Sequence, residues 1–88
     1  MLNLDSDKSF LKKLGKILKG SPELTGKIAT VFDLLQENPF MPSLKTHPLT
    51  GYLKGKYACS VTKDIRIIFE LSDDTIYLLN IGSHDEVY

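Results

Sequence analysis

Five side chains in this chain of 88 residues carry chemistry that a packed core does not need: His47, Asp64, Arg66, His84 and Tyr88. An imidazole ordinarily titrates near neutrality and can take or give a proton. A guanidinium holds a phosphate bidentately and stabilises charge developing on its oxygens. These residue types suit proton transfer on a phosphodiester. RNA brings its own nucleophile, the 2′-hydroxyl, so the protein need not supply one. Other site chemistries find less support. Two histidines 37 positions apart and a single cysteine match no common metal spacing. There is no glycine-rich phosphate loop and no nucleophile elbow. Cys59 has no partner for a disulfide, and its alternating apolar surroundings predict a buried, inert thiol.

Each of the five has an ordinary alternative role. His47 precedes Pro48 in a polar loop, and His84 beside Asp85 reads as a surface residue. Arg66 could pair with Glu70, two positions along the same strand face, and Tyr88 could be a packing anchor. Taken singly, the ordinary role is the commoner one.

These residues must be positioned by a small fold. The length fits one domain, 1–88, with a modest core. No run of 18 apolar residues predicts a membrane helix, and the N-terminus has no signal pattern, so a cytoplasmic protein is the default expectation. The net charge is zero but uneven. Residues 1–43 carry six lysines against five acids, residues 44–69 five cations against Asp64, and residues 70–88 five acids and no cation. That excludes a whole-molecule field steering nucleic acid, and leaves a local phosphate-binding patch in the middle segment.

Along the chain, residues 2–4 suit a short edge strand. Asp5 or Ser6 offers a helix N-cap, and Phe10, Leu11, Leu14, Ile17 and Leu18 follow helical spacing over 6–19, with Lys12, Lys13, Lys16 and Lys19 on the other side. Gly20 is expected to end that helix in a left-handed conformation. Ser21-Pro22-Glu23 starts a second helix over 22–37, with Leu24, Ile28, Val31, Phe32 and Leu35 as its stripe, and Asn38-Pro39 stops it. Residues 39–53, with three prolines, read as a long loop, a kind that is often functional.

From Lys56 the period becomes two, predicting antiparallel strands over 55–61, 65–71 and 75–81, the last buried on both faces. The helical hairpin must lie on those strands, giving an α+β fold. The stripes Tyr57/Cys59/Val61 and Ile65/Ile67/Phe69 must share the helix-covered face. That requires a three-residue loop, Thr62-Lys63-Asp64, pairing Val61 with Ile65 and setting Ser60 opposite Arg66 on the other face. Asp64 then stands at the hairpin tip. A bend at Gly82 would carry His84 and Tyr88 back over that face.

The succession His47-Pro48-Leu49-Thr50-Gly51, Gly55-Lys56-Tyr57-Ala58-Cys59-Ser60, Asp64-Ile65-Arg66-Ile67-Ile68-Phe69 and Ile81-Gly82-Ser83-His84-Asp85-Glu86-Val87-Tyr88 resembles the RelE/ParE toxin superfamily, and most of all its YafQ branch. The resemblance covers essentially the whole chain. The histidine-proline loop and the histidine-to-tyrosine ending are its most specific parts. It implies an mRNA interferase, an endoribonuclease of a type II toxin–antitoxin pair that cuts mRNA in the ribosomal A site, needs no cofactor and is neutralised by a cognate antitoxin. On the same resemblance His47, Asp64, His84 and Tyr88 match YafQ-type active-site positions, and Arg66 matches the arginine that RelE-type toxins use on the scissile phosphate. Lys54 and Lys56 fall where such toxins bind phosphate. Ser60 stands where YafQ-type toxins have a catalytic histidine, and Ile65 where they have a tryptophan. Two alternatives stay open. One is a ParE-type gyrase poison without nuclease activity, against which the His47 loop and the His84/Tyr88 pair speak. The other is a weakened toxin serving as an antitoxin-binding module, which Ser60 favours.

Overall fold

The computed structural model describes residues 1–88. Strand β1 (Asn3–Ser6) leads into helix α1 (Lys8–Gly20), and helix α2 (Thr25–Glu37) follows a 3-10 turn over Pro22–Leu24. Strands β2 (His47–Pro48), β3 (Tyr57–Ser60), β4 (Ile65–Ser72) and β5 (Thr75–Ser83) complete one sheet, and a short helix, α3 (His84–Val87), ends the chain. The sheet order is β1-β5-β4-β3-β2. Every pairing is antiparallel except β1 with β5, which the α1–α2 excursion makes parallel. The expected α+β architecture, a helical hairpin on a small antiparallel sheet, is the observed one, with β1 added in parallel at one edge.

The register of the central hairpin follows from its apolar pattern. Ser60 pairs with Arg66 and Cys59 with Ile67. Val61 N–H donates to the Ile65 carbonyl at 2.9 Å, which leaves Thr62-Lys63-Asp64 as the three-residue loop. Cys59, Val61, Ile67 and Phe69 therefore face the helices and join Phe10, Ile28, Val31, Leu35, Leu44, Ile76, Leu78 and Ile81 in the main core. A slip of one residue would move a whole stripe to the wrong face.

Several local expectations differ from what is seen. The cap of α1 is Asp7, whose carboxylate accepts from Phe10 N–H at 2.9 Å, because Asp5 and Ser6 are held in β1. Gly20 is not left-handed; it is the last helical residue, and Ser21, at φ −141° and ψ 71°, terminates α1. Ser21 makes no side-chain cap, and the Pro22 start is a 3-10 turn before α2 proper. Residues 39–53 are not a bare loop: two 3-10 turns and β2 structure them. Strand β5 is not buried on both faces, since Tyr77 and Leu79 are exposed. Its pairing with β4 shifts by one residue at Ile68/Phe69, a bulge that alters its facing midway.

The largest difference is at the C-terminus. Gly82 stays within β5, paired with Arg66, and the bend comes one residue later, where Ser83 caps α3. Gly82 does have the expected positive φ, 159°, and a Cβ there would in addition lie 3.1 Å from Glu86 Cβ. Helix α3 thus folds flat on the face away from α1 and α2. Its Val87 buries against Ala58 and Ile68, with Leu49 and Tyr88 at the margin, in a second small core.

Candidate active site

Three segments distant in sequence meet over the α3 side of the sheet. Each is placed by a different backbone device.

The His47 segment is held by β2, where His47 pairs with Ala58 and Leu49 N–H donates to the Lys56 carbonyl at 2.9 Å. Lys45 just before it adopts a left-handed conformation, φ 53°, and ends the pairing there. Its carbonyl lies 3.2 Å from His47 Nδ1. A carbonyl can only accept, so Nδ1 is the donor, and in the neutral tautomer that has this proton Nε2 keeps its lone pair. That Nε2 lies 3.4 Å from the Tyr88 hydroxyl, a long contact in which the phenol donates.

The C-terminal segment is fixed by α3. Ser83 N–H donates to Glu86 Oε1 at 3.0 Å, one half of a capping box. The Ser83 N–H first, and its side chain second, hold the Glu86 carboxyl below the usual carboxylate range. One turn of helix then sets His84 against Tyr88, ring centroids 4.3 Å apart and edge to face. Burial pushes the Tyr88 phenol up, against the opposing pull of the nearby Arg66 charge, so Tyr88 is a neutral donor at physiological pH.

Arg66 arrives from β4. Its Nη1 donates to Ser60 Oγ at 2.9 Å across the hairpin. It does not pair with Glu70, whose carboxylate instead lies 3.9 Å from Lys56 Nζ. Arg66 is half-buried with no carboxylate partner, a guanidinium left available for an anion.

Of the residues expected at the site, the structure brings His47, His84 and Tyr88 together, with Arg66 and Ser60 beside them. Asp64 is exposed at the hairpin tip, its own N–H bonded to Thr62 Oγ1 at 3.2 Å, and no ion pair joins it to either histidine or to Arg66. The β4–β5 pairing ends at Ile65 and Ser83, the residues next to Asp64 and His84 in sequence. Lys54 is exposed at the end of a 3-10 turn and free of carboxylates, whereas Lys56 carries Glu70 as partner. No group of three or more His, Cys, Asp and Glu side chains converges here, so the donor set does not fit a three-ligand metal centre.

One residue that braces these segments has no signal in the sequence. Tyr52 is 81% exposed, yet its hydroxyl donates to the main-chain oxygen of Tyr88 at 2.7 Å and ties the His47 loop to α3. Nothing in the spacing of 49–56 marks it.

The family model described as the bacterial toxin of type II toxin–antitoxin systems, YafQ, matches residues 2–88. The chain belongs to the YafQ family. Among solved structures, the metal-bound toxin from Helicobacter pylori is 31% identical over the whole of both chains, with a TM-score of 0.84. YafQ in the DinJ–YafQ complex of Escherichia coli superposes with a TM-score of 0.83 at 22% identity, over all of this chain and 99% of that one. The YoeB/ParE toxin from Agrobacterium tumefaciens, 18% identical over 94% of this chain and 99% of its own, reaches 0.83 and shares the fold. No curated protein sequence matches this chain. As a YafQ-family toxin it has no helix long and apolar enough to cross a membrane.

Proposed function

We propose that this toxin is a ribosome-dependent mRNA interferase, cutting mRNA in the ribosomal A site and held inactive by a cognate antitoxin. The observation that carries the reading is the convergence of His47, His84 and Tyr88 beside an Arg66 with no carboxylate partner. A structural arginine on a strand face ordinarily answers an acid; this one answers only a serine.

In this reading the 2′-hydroxyl of the RNA loses its proton to an imidazole, and its oxygen attacks the adjacent phosphorus. The 5′-oxygen leaves and takes a proton from the second acid–base group. The products are a 2′,3′-cyclic phosphate and a 5′-hydroxyl end. His84 carries one of these transfers. In this reading His47 Nε2 carries the other, a role supported by the Lys45 carbonyl on Nδ1, which leaves Nε2 its lone pair in the neutral ring. Asp64 contributes from the tip. Arg66 stabilises the charge on the pentacoordinate phosphorus, and Tyr88 orients both rings and stacks on a base. Each acid–base group is worth on the order of 10²–10⁴ in rate. Lys54 and Lys56 add positive charge along the loop.

The crystal structure of an E. coli relative with DinJ supports an antitoxin partner for this chain as well.

Ser60 favours a second reading, a toxin of lowered activity. A hydroxyl hydrogen-bonded to Arg66 occupies the place where the family resemblance calls for an imidazole. Inducing the gene alone and mapping mRNA 5′ ends decides among the readings. Translation arrest with codon-linked cuts, reversed by co-expressing the antitoxin, is the expected result. DNA damage with SOS induction would instead indicate a gyrase poison, and neither response an inert antitoxin-binding module.

A further inference from the structure

The largest cavity of the molecule is not the histidine cluster itself but an open cleft next to it, about 640 Å³, between α2, the 42–45 turn and the tip of the β3–β4 hairpin. That volume lies within the range of about 300–1,000 Å³ typical of ligand sites. Four cations line it, Lys27, Lys45, Lys63 and Arg66, together with four hydroxyl side chains, Ser60 among them; no carboxylate does. None of the four cations has an ion-pair partner elsewhere in the chain. In a protein whose charges sum to zero, such a one-signed cleft is a local concentration of positive potential.

Backbone geometry opens the cleft. Strand β2 pairs with β3 only at Tyr57 and Ala58. The next inward-facing partner would be Lys45 opposite Ser60, but Lys45 is left-handed and carries the chain away. Val61 N–H points across to the Ile65 carbonyl, so by antiparallel alternation the Ser60 N–H and carbonyl point to the opposite edge, into the gap. The cleft wall thus offers a main-chain donor beside the four cations. Arg66 and Ser60 belong both to the cleft and to the surroundings of the candidate active site, so the two are continuous.

We infer that this cleft binds the phosphodiester backbone of the substrate RNA strand, taking phosphates beyond the one held at Arg66. The inference rests on the ribonuclease reading for its substrate class. Lys27 and Lys63 are its independent anchors: one comes from α2, the other from the hairpin tip, and neither touches the histidine cluster.

The test uses a short single-stranded RNA with 2′-O-methyl groups, which has no nucleophile and is not cut. Binding of the wild-type toxin and of the double variant Lys27→Gln/Lys63→Gln is measured between 50 and 200 mM salt, on the order of the range over which phosphate neutralisation tells. The variant should bind at least about ten-fold more weakly at the low-salt end. The slope of log affinity against log salt should fall by roughly 1.4, about 0.7 for each phosphate that the missing lysines no longer neutralise. On cleavable mRNA its KM should rise while kcat is kept. Equal affinity and slope for the two proteins, or no binding by either, overturns the inference. Weaker binding to ribosomes without mRNA, with oligonucleotide binding unchanged, also overturns it and assigns the cleft to ribosomal RNA. Weaker antitoxin binding alone would assign it to the antitoxin. A wild-type toxin that binds the oligonucleotide through the two lysines yet cuts no mRNA would sink the ribonuclease reading and leave the cleft in place.

Discussion

The Tyr88 hydroxyl meets His47 Nε2 at 3.4 Å across 41 positions of sequence, and this contact closes the site. It joins two segments on the α3 side that no strand pairing connects. Replacing Tyr88 by Phe keeps the edge-to-face packing on His84 and removes the donor to His47. A hydrogen bond worth about 0.5–1.5 kcal/mol predicts a fall of roughly 2–10-fold in mRNA cleavage, with the denaturation midpoint little changed. Tyr88→Ala should cost clearly more, because the ring that orients His84 goes too. Steady-state cleavage of a defined mRNA on purified ribosomes measures both.

Ser60→His should raise activity. Position 60 lies directly across from Arg66, and its side chain already touches the guanidinium. An imidazole there adds an acid–base group beside the phosphate-binding arginine, a gain of up to about 10²-fold at the low end of what such groups supply. The same cleavage assay reads it. An unchanged or lower rate would remove the idea that serine at this place limits the toxin.

Gly82→Ala tests how α3 is seated. The new Cβ would lie 3.1 Å from Glu86 Cβ and 3.2 Å from Glu86 Oε1, the oxygen that accepts from Ser83 N–H. The Glu86 side chain or the helix must give by a few tenths of an ångström, and alanine is strained at the φ of 159°. Overpacking of this kind costs about 1–3 kcal/mol, so the urea midpoint should drop, and cleavage should drop further because His84 and Tyr88 ride on α3. A variant with normal stability and normal cleavage would show that α3 is not held at this point.

Cys59 gives a pH prediction. Burial pushes its thiol up to about 12 in the folded protein, with a hydrogen bond to the Ile67 main chain opposing. The folded state therefore disfavours the thiolate. This contribution to stability is whole below the unfolded thiol's value of about 8.5 and is lost as pH rises towards 12. Between those limits the stability of the wild type should fall more steeply with pH than that of Cys59→Ala, and alkylating reagents should leave the folded thiol intact at pH 8. Rapid modification of the native protein would contradict its placement in the core.

The frame of this molecule is legible because it is written in periodicity. Alternation in 57–61 and 65–69 dictates the shared face, and with it the three-residue loop and the Ser60–Arg66 pairing. The helical stripes name the residues that meet Ile67 and Phe69. What stays hidden depends on contacts between distant segments. Strand β2 is two residues long and one of them is proline, so no pattern announces it. Helix α3 is a single turn whose buried Val87 makes sense only once Ala58 and Ile68 are known to lie beneath it. Gly82 reads in the sequence as the point of the bend; in the fold it has the positive φ but stays in β5, and its missing Cβ also makes room for Glu86. For the site, residue types point to His47, His84, Tyr88 and Arg66. The exposed Tyr52 clamp and the cleft reaching Lys27 require the third dimension.

His84→Gln is the most direct test of the proposed chemistry. Glutamine keeps much of the size and polarity of histidine but cannot transfer a proton near neutral pH. Helix α3, held by Ser83, Glu86 and the buried Val87, does not depend on the imidazole. Ribosome-dependent cleavage of a defined mRNA by the purified variant should fall by on the order of 10²-fold or more, with the unfolding midpoint and antitoxin binding unchanged. Full cleavage by His84→Gln would contradict the acid–base role of this residue.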